Sequence, residues 1–235
     1  MSPAALEVAG LTSGYGEAMV LRDVALVVPA GEVLALVGKN GMGKSTLLKT
    51  VMGFLPARSG RIRIHGEEVT GAPPHQMAAR AVAYCPQDQA IFQDLTVEEN
   101  LRLGLRRDRG FEAELARVTA PFPVLAQRRR QRAGTLSGGE QKMLIMARAL
   151  LPRPRLLLVD EISEGLQPSV VLRMAEALRA ARRDLGVAVL LIEQNVRFAL
   201  SVADHFAVLA RGEIVDTGPA DAPAVEARIH DHLVV

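Results

Sequence analysis

VLALVGKNGMGKST, residues 33–46, decides how the chain is read. VLALV is a continuous apolar run of strand length, the pattern of a strand buried on both faces. GKNGMGKS, 38–45, then matches G-x-x-x-x-G-K-[ST], and Ser45 to Met52 has helical spacing. A strand before and a helix after is the setting in which this pattern cradles phosphate. Gly38, Gly41 and Gly43 let the backbone turn tightly and bring its N–H groups to an anion. The helix starting near Lys44 aims its positive dipole end the same way. Lys44 reaches β- and γ-phosphates as a point charge. The Ser45 hydroxyl suits Mg²⁺, which dehydrates reluctantly and accepts few protein ligands. Gly38, Lys39, Asn40, Gly41, Met42, Gly43, Lys44, Ser45 and Thr46 are therefore the candidate residues around a nucleotide's phosphates.

Outward from that loop, residues 6–9 and 19–28 read as short strands around the turn segment SGYGEA. RIRIHG (61–66) alternates like a half-exposed strand, and AVAYC (81–85) is a short β run stopped by Pro86. From about 95 to 150 the chain is rich in Leu, Arg, Glu and Ala at helical spacing, with a Thr96/Glu99 capping-box start. β character returns in RLLLVD (155–160), VAVLLIE (187–193) and FAVLA (206–210). A helix with Pro168 in its first turn lies between the first two, and GEIVDTG (212–218) reads turn, strand, turn. Buried strands alternating with helices predict an α/β domain on a mainly parallel sheet, with 95–150 as a helical insertion.

Composition sets the outer bounds. The chain has 235 residues, 49% hydrophobic and 23% charged, an ordinary globular balance. No apolar run reaches the roughly 18 residues that span a bilayer. MSPAALEVAG has neither the basic nor the apolar region of a secretory signal. Cys85 is the sole cysteine, which excludes an internal disulfide and reads as an inert buried thiol in a reducing compartment. The net charge of +2, two tyrosines and absence of tryptophan argue against nucleic acid as a partner. The run RRRQR (128–132) reads as a solvated charged face. His65, His75, His205, His230 and His232 have no metal-ligand spacing.

RLLLVDE (155–161) places two carboxylates at the C-terminal edge of an apolar strand, where open α/β sheets bind ligands. Asp160 suits Mg²⁺ through a coordinated water, and Glu161 suits orienting or deprotonating an attacking water. These features fit kinases, GTPases, helicases and transport ATPases alike. LSGGEQ (136–141) separates them. Ser137, Gly138 and Gly139 open the helical run QKMLIMARAL as a second anion-binding N-terminus. Taken alone, they also read as a serine N-cap on an ordinary helix.

LSGGEQ resembles the signature of ATP-binding cassette (ABC) ATPases and stands where that family has it, shortly before LLLVDE. Further matches run along nearly the whole chain. Tyr15 resembles the aromatic residue that stacks on adenine, and Gln87, in YCPQ, the glutamine of the loop joining core to helical insertion. SEGLQP (163–168) resembles the loop after the catalytic glutamate. The resemblance implies a single P-loop NTPase domain over 1–235. Its RecA-like core covers 1–94 and 152–235, an antiparallel β subdomain lies at the N-terminus, and a helical subdomain, 95–151, carries the signature. It implies ATP and Mg²⁺ as cofactors, with Ser45, Gln87 and Asp160 at the metal. Lys44, Gln87, Glu161 and Gln194 would act in catalysis.

Two departures from the family matter. Gln194, in LLIEQN, replaces a histidine that contacts the γ-phosphate; an amide can donate a hydrogen bond there but cannot shuttle a proton at neutral pH. Ile162 replaces the proline after the glutamate, which predicts a looser hold on Glu161. LIEQN, with RAGTLSGGEQKM and LTVEENL, resembles ATPase subunits of branched-chain amino acid importers and of related urea and short-chain amide importers; SEGLQPS leans slightly toward the latter. This implies a head-to-tail pair with a second ATPase subunit, identical or related, whose Ser137, Gly138 and Gly139 equivalents complete each site. Two membrane permeases and, indirectly, an extracytoplasmic solute-binding protein would be the other partners. The chain would sit peripherally on the cytoplasmic face of a bacterial inner membrane. A solitary P-loop kinase or GTPase leaves LSGGEQ unexplained. Non-transport ABC proteins usually carry a long insertion or two cassettes, and a non-hydrolysing regulator would not need Glu161.

Overall fold

The computed structural model describes residues 4–87, 91–105 and 109–234. The chain opens with a hairpin, β1 (Ala4–Tyr15) and β2 (Ala18–Pro29), then enters β3 (Val33–Val37), buried at every residue. Helix α1 (Lys44–Val51) follows the glycine loop, and β4 (Ala57–Ile64), β5 (Glu67–Glu68), α2 (Pro74–Ala79) and β6 (Val82–Cys85) come after it. A helical run follows: α3 (Val97–Arg102), α4 (Phe111–Thr119), α5 (Pro123–Gln127) and α6 (Gly138–Leu150). The last part comprises β7 (Leu156–Asp160), α7 (Pro168–Leu185), β8 (Ala188–Glu193), α8 (Val196–Val202), β9 (His205–Ala210), β10 (Glu213–Pro219) and α9 (Val225–Val234).

The strands form two sheets. One is antiparallel, in the order β2-β1-β4-β5; the other has the order β10-β9-β3-β8-β7-β6 and is parallel except for β10. This is the α/β architecture that the sequence predicts, with the antiparallel N-terminal layer that the resemblance implies. β3, β7 and β8 are continuous apolar runs because both their faces are covered. One core cluster fills the space between the two sheets, with Leu36 of β3, Leu47 and Leu48 of α1 and Ile62 of β4. A second joins the helical run to the parallel sheet: Leu101, Phe111, Phe122 and Leu144 pack in the same cluster as Leu157 and Val159 of β7.

The hairpin strands extend further than the sequence predicts, and the segment SGYGEA shrinks to a turn at Gly16 and Glu17. β4 begins four residues before RIRI because a bulge at Gly60 (φ 90) carries the ladder through a turn-like ARSG; a Cβ there would lie 2.4 Å from the Gly10 carbonyl oxygen. GEIVDTG is nearly all strand. Pro168 stands in the first turn of α7, as its fixed φ favours. The Thr96 capping box forms, with Glu99 bonded back to the Thr96 N–H at 2.7 Å. Such a cap contributes about 1 kcal/mol.

Arg128, Arg130 and Arg132 of the basic run are exposed, as on a solvated charged face, and Arg129 is half-buried. Arg129 bonds Glu98 and Glu112, tying α3 to α4, and Arg128 lies 3.5 Å from Glu140. Hydrogen bonds from Arg129 and Arg102 pull the Glu98 carboxyl down to about 2. Arg129 thus clamps α3 to α4 within the helical segment.

Candidate phosphate-binding and catalytic site

The C-terminal ends of β3, β6, β7 and β8 converge, and the loops leaving them carry the candidate residues. After β3 the glycine loop fits only because two of its glycines lack a side chain. A Cβ on Gly38 would lie 2.5 Å from the Leu209 carbonyl oxygen, and one on Gly43 (φ 104) would lie 2.8 Å from Leu21. Lys39, Asn40 and Gly41 are exposed on the loop's crest. Met42 is half-buried, and its sulfur accepts the Arg211 N–H at 3.2 Å. Thr46 is buried in α1, its carbonyl bonded by the Thr50 hydroxyl. Tyr15 ends β1 with 48% of its surface exposed.

Lys44, 3% exposed, donates to the carbonyls of Gly38 (2.7 Å) and Lys39 (2.9 Å) and pairs with the Glu161 carboxylate at 2.9 Å. Ser45 donates to Asp160 Oδ1 at 3.2 Å, and the Tyr84 hydroxyl donates to Oδ2 at 3.4 Å. Burial lifts the Asp160 carboxyl above its ordinary value, against the pull of the Ser45 bond. Burial, with Asp160 beside it, also pushes the Tyr84 phenol well up, so it remains a donor.

Glu161 is the junction of the site. It is buried, and its backbone is in the left-handed region (φ 44), uncommon for a side chain of this kind. Its N–H bonds the Ile192 carbonyl at 3.0 Å. Its carboxylate receives Lys44, the Gln194 amide at 2.8 Å and the Gln87 amide at 3.2 Å. Groups following β3, β6 and β8 thus meet on the residue that follows β7. Ile162, in the place of the family's proline, is buried in the core that joins the helical run to the parallel sheet. The Gln194 amide meets the Glu161 carboxylate in a charge-assisted hydrogen bond. Gln87 spends its amide nitrogen on Glu161 and on Glu164, the latter at 2.6 Å.

Several contributors escape a reading of the sequence. Glu193, 1% exposed, accepts the Ser163 N–H at 2.9 Å and its hydroxyl at 2.7 Å, and burial raises its carboxyl. Lys142 of α6 donates to the carbonyls of Glu164 (2.9 Å) and Glu161 (3.4 Å). The acid ending VAVLLIE was a visible signal for Glu193; nothing local marks Lys142 or Tyr84. Ser137 caps α6 in a capping box with Glu140. Ser137, Gly138 and Gly139 line a cleft with Lys142 and residues 164–167, and no residue of the glycine loop lines it.

A glycine loop, an acidic strand end and a separate serine-glycine helix start now stand in one fold. The sequence model of the ABC transporter family matches residues 21–164. The chain belongs to the ABC transporter family. It is an ATP-binding subunit that hydrolyses ATP. Among its ABC relatives is the high-affinity branched-chain amino acid transport ATP-binding protein BraG of Pseudomonas aeruginosa, 45% identical over 210 residues, covering 88% of this chain and 90% of the relative. The probable branched-chain amino acid transport ATP-binding protein LivF of Archaeoglobus fulgidus is 38% identical over 214 residues, covering 90% of each. A solved ATP-binding subunit of an ABC transporter superposes with a TM-score of 0.83 at 29% identity, over 98% of this chain and 96% of that one. ABC subunits of this kind work beside membrane permeases, and among the described residues no helix is long and apolar enough to cross a membrane.

Proposed function

We propose that this chain energises uptake of branched-chain amino acids by an ABC importer. Two permeases would carry the path through the membrane, an extracytoplasmic binding protein would deliver the cargo, and the chain would lie on the cytoplasmic face of the inner membrane. The cargo rests on the 45% identity to a protein of that name. The reaction rests on one observation: the Glu161 carboxylate, at the sheet edge, is shared by Lys44, Gln87 and Gln194. We assign residues 95–151 to a helical subdomain and the rest to the core.

In this reading the triphosphate lies in the loop 38–46, with adenine against Tyr15. Lys44 exchanges the Glu161 carboxylate for phosphate oxygens. Glu161, released from the lysine and still held by Gln87 and Gln194, takes a proton from a water. That water's oxygen bonds the γ-phosphorus as the bond to the β-phosphate oxygen breaks, and ADP departs with the electron pair.

The donor set fits Mg²⁺. Ser45 and Asp160 present oxygens 3.2 Å apart, and burial disfavours the Asp160 charge unless a cation compensates it. Among the described residues no three acidic, His or Cys side chains form a metal cage, as suits a cation that phosphate and water also ligate. Ser45 and Asp160 would hold it, with the Gln87 amide oxygen as a further donor; bound there, it would neutralise phosphate charge.

Removing one hydrogen bond to a charged group costs about 1.5–3 kcal/mol. Gln194→Ala should therefore slow turnover by about 10- to 150-fold and spare nucleotide binding, since the amide orients Glu161 without accepting its proton. Steady-state phosphate release checks it; a loss larger than that of Glu161→Gln would reverse the division of labour. Cargo is tested in vesicles holding the chain with its permeases. Leucine-loaded receptor should stimulate ATP hydrolysis where urea-loaded receptor does not, and the opposite result would replace the cargo.

A further inference from the structure

We infer that Lys142 is a positioning residue through which the signature helix sets the Glu161 backbone of its own chain, linking the two ATP sites of a subunit pair. The inference rests on the paired-subunit reading, in which Ser137, Gly138 and Gly139 meet the facing subunit's nucleotide.

The argument starts with the turn at Glu161. A glutamate at φ 44 is strained, and such strain persists only where the surroundings over-determine it. Here both backbone groups are held. The N–H is fixed by Ile192 at 3.0 Å, inside the same sheet. The carbonyl receives a longer, weaker bond from Lys142 at 3.4 Å, and the same ammonium takes the Glu164 carbonyl at 2.9 Å. One cation thus spans the turn Glu161–Glu164, and it comes from a different element, α6.

Lys142 lies one helical turn beyond Gly138, so the cradle residues and the ammonium's stem move as one body. That body sits tightly on α7: a Cβ on Gly139 would lie 3.2 Å from Val170. Lys142, Glu164 and the cradle line a single cleft. The far side of the turn is pinned by Glu193 to Ser163 and by Gln87 to Glu164. A shift of the cradle, when it engages or leaves the neighbour's phosphate, is therefore delivered to the two carbonyls that Lys142 holds. Each nucleotide then influences the carboxylate of the opposite site, and by reciprocity the opposite site influences it.

The test uses the full chain. Lys142→Met keeps the stem and removes the donors. Its expected behaviour is unchanged affinity for ATP in the single chain, unchanged unfolding midpoint, ATP-dependent pairing retained in the Glu161→Gln background, and turnover lowered about tenfold. The ATP dependence of the rate should flatten toward a Hill coefficient of one, and Lys142→Arg should recover most of the loss. Unchanged turnover and curve shape would overturn the inference. So would a loss accounted for by failure of Lys142→Met/Glu161→Gln to pair, or by a lowered unfolding midpoint that Lys142→Arg shares without recovering rate. If Glu161→Gln shows ATP-dependent pairing neither with itself nor with a related ATPase subunit, the paired-subunit reading itself fails and takes this inference with it.

Discussion

Glu161→Gln should lower ATP turnover by about 10²–10⁴-fold, the range expected when a positioned base is removed, while ATP binding is kept. The amide has the carboxylate's shape, so the buried junction stays filled. The chemistry changes in two ways. An amide cannot take the proton of the attacking water. It also cannot pair with Lys44, whose ammonium lies 2.9 Å from the native carboxylate. That ion pair competes with phosphate for the same ammonium, so ATP affinity should hold or rise. Nucleotide titration with single-turnover phosphate release separates the two effects. Native turnover would remove Glu161 from the role of base. Lost binding would mean that the pair with Lys44 builds the loop instead of competing with ATP.

Ser137→Arg should leave nucleotide binding by the single chain intact and abolish ATP-dependent pairing. Moving a two-state equilibrium from mostly open to mostly closed takes roughly 5.5 kcal/mol of differential binding. Charge-assisted hydrogen bonds from the cradle can supply it at about 1.5–3 kcal/mol each. Losing two of them would shift pairing by roughly two to four powers of ten. Ser137 also caps α6, at a cost of about 1 kcal/mol if removed, so a second variant guards against a trivial loss of fold. Gly138 is exposed and has open space around its Cβ position. Gly138→Asp leaves the cap in place and sets a carboxylate where the partner's phosphate would approach. Light scattering with ATP in the Glu161→Gln background reads both, and pairing that survives both would show that the signature lies outside the contact.

What the sequence makes legible follows from how local each signal is. β3, the glycine loop, β7 and β8 are plain because strands buried on both faces are continuous apolar runs. Lys44, Ser45, Asp160 and Glu161 are plain because they stand at the ends of those runs. The start of β4 is hidden because a bulge glycine mimics a turn in its own neighbourhood. The supports of Glu161 are hidden for a different reason. Gln87 and Glu164 are 77 positions apart, Ser163 and Glu193 are 30, and Lys142 and Glu164 are 22. Only the folded sheet edge brings them together, and no residue spacing announces it. Gln194 shows the limit most clearly: its identity is readable, but its bond to the Glu161 carboxylate, 33 positions away, belongs to three-dimensional distance.

Cys85 closes β6 with no exposed surface, and burial pushes its thiol up to about 12. Only the thiolate reacts at useful rates, and this is the chain's single cysteine. Thiol-directed fluorophores should therefore pass it by. A reporter dye on an introduced surface cysteine, for instance at Leu172, 70% exposed on α7, would be the sole label on this chain. Movements of the subunit during turnover could then be followed spectroscopically without first engineering the native residue away.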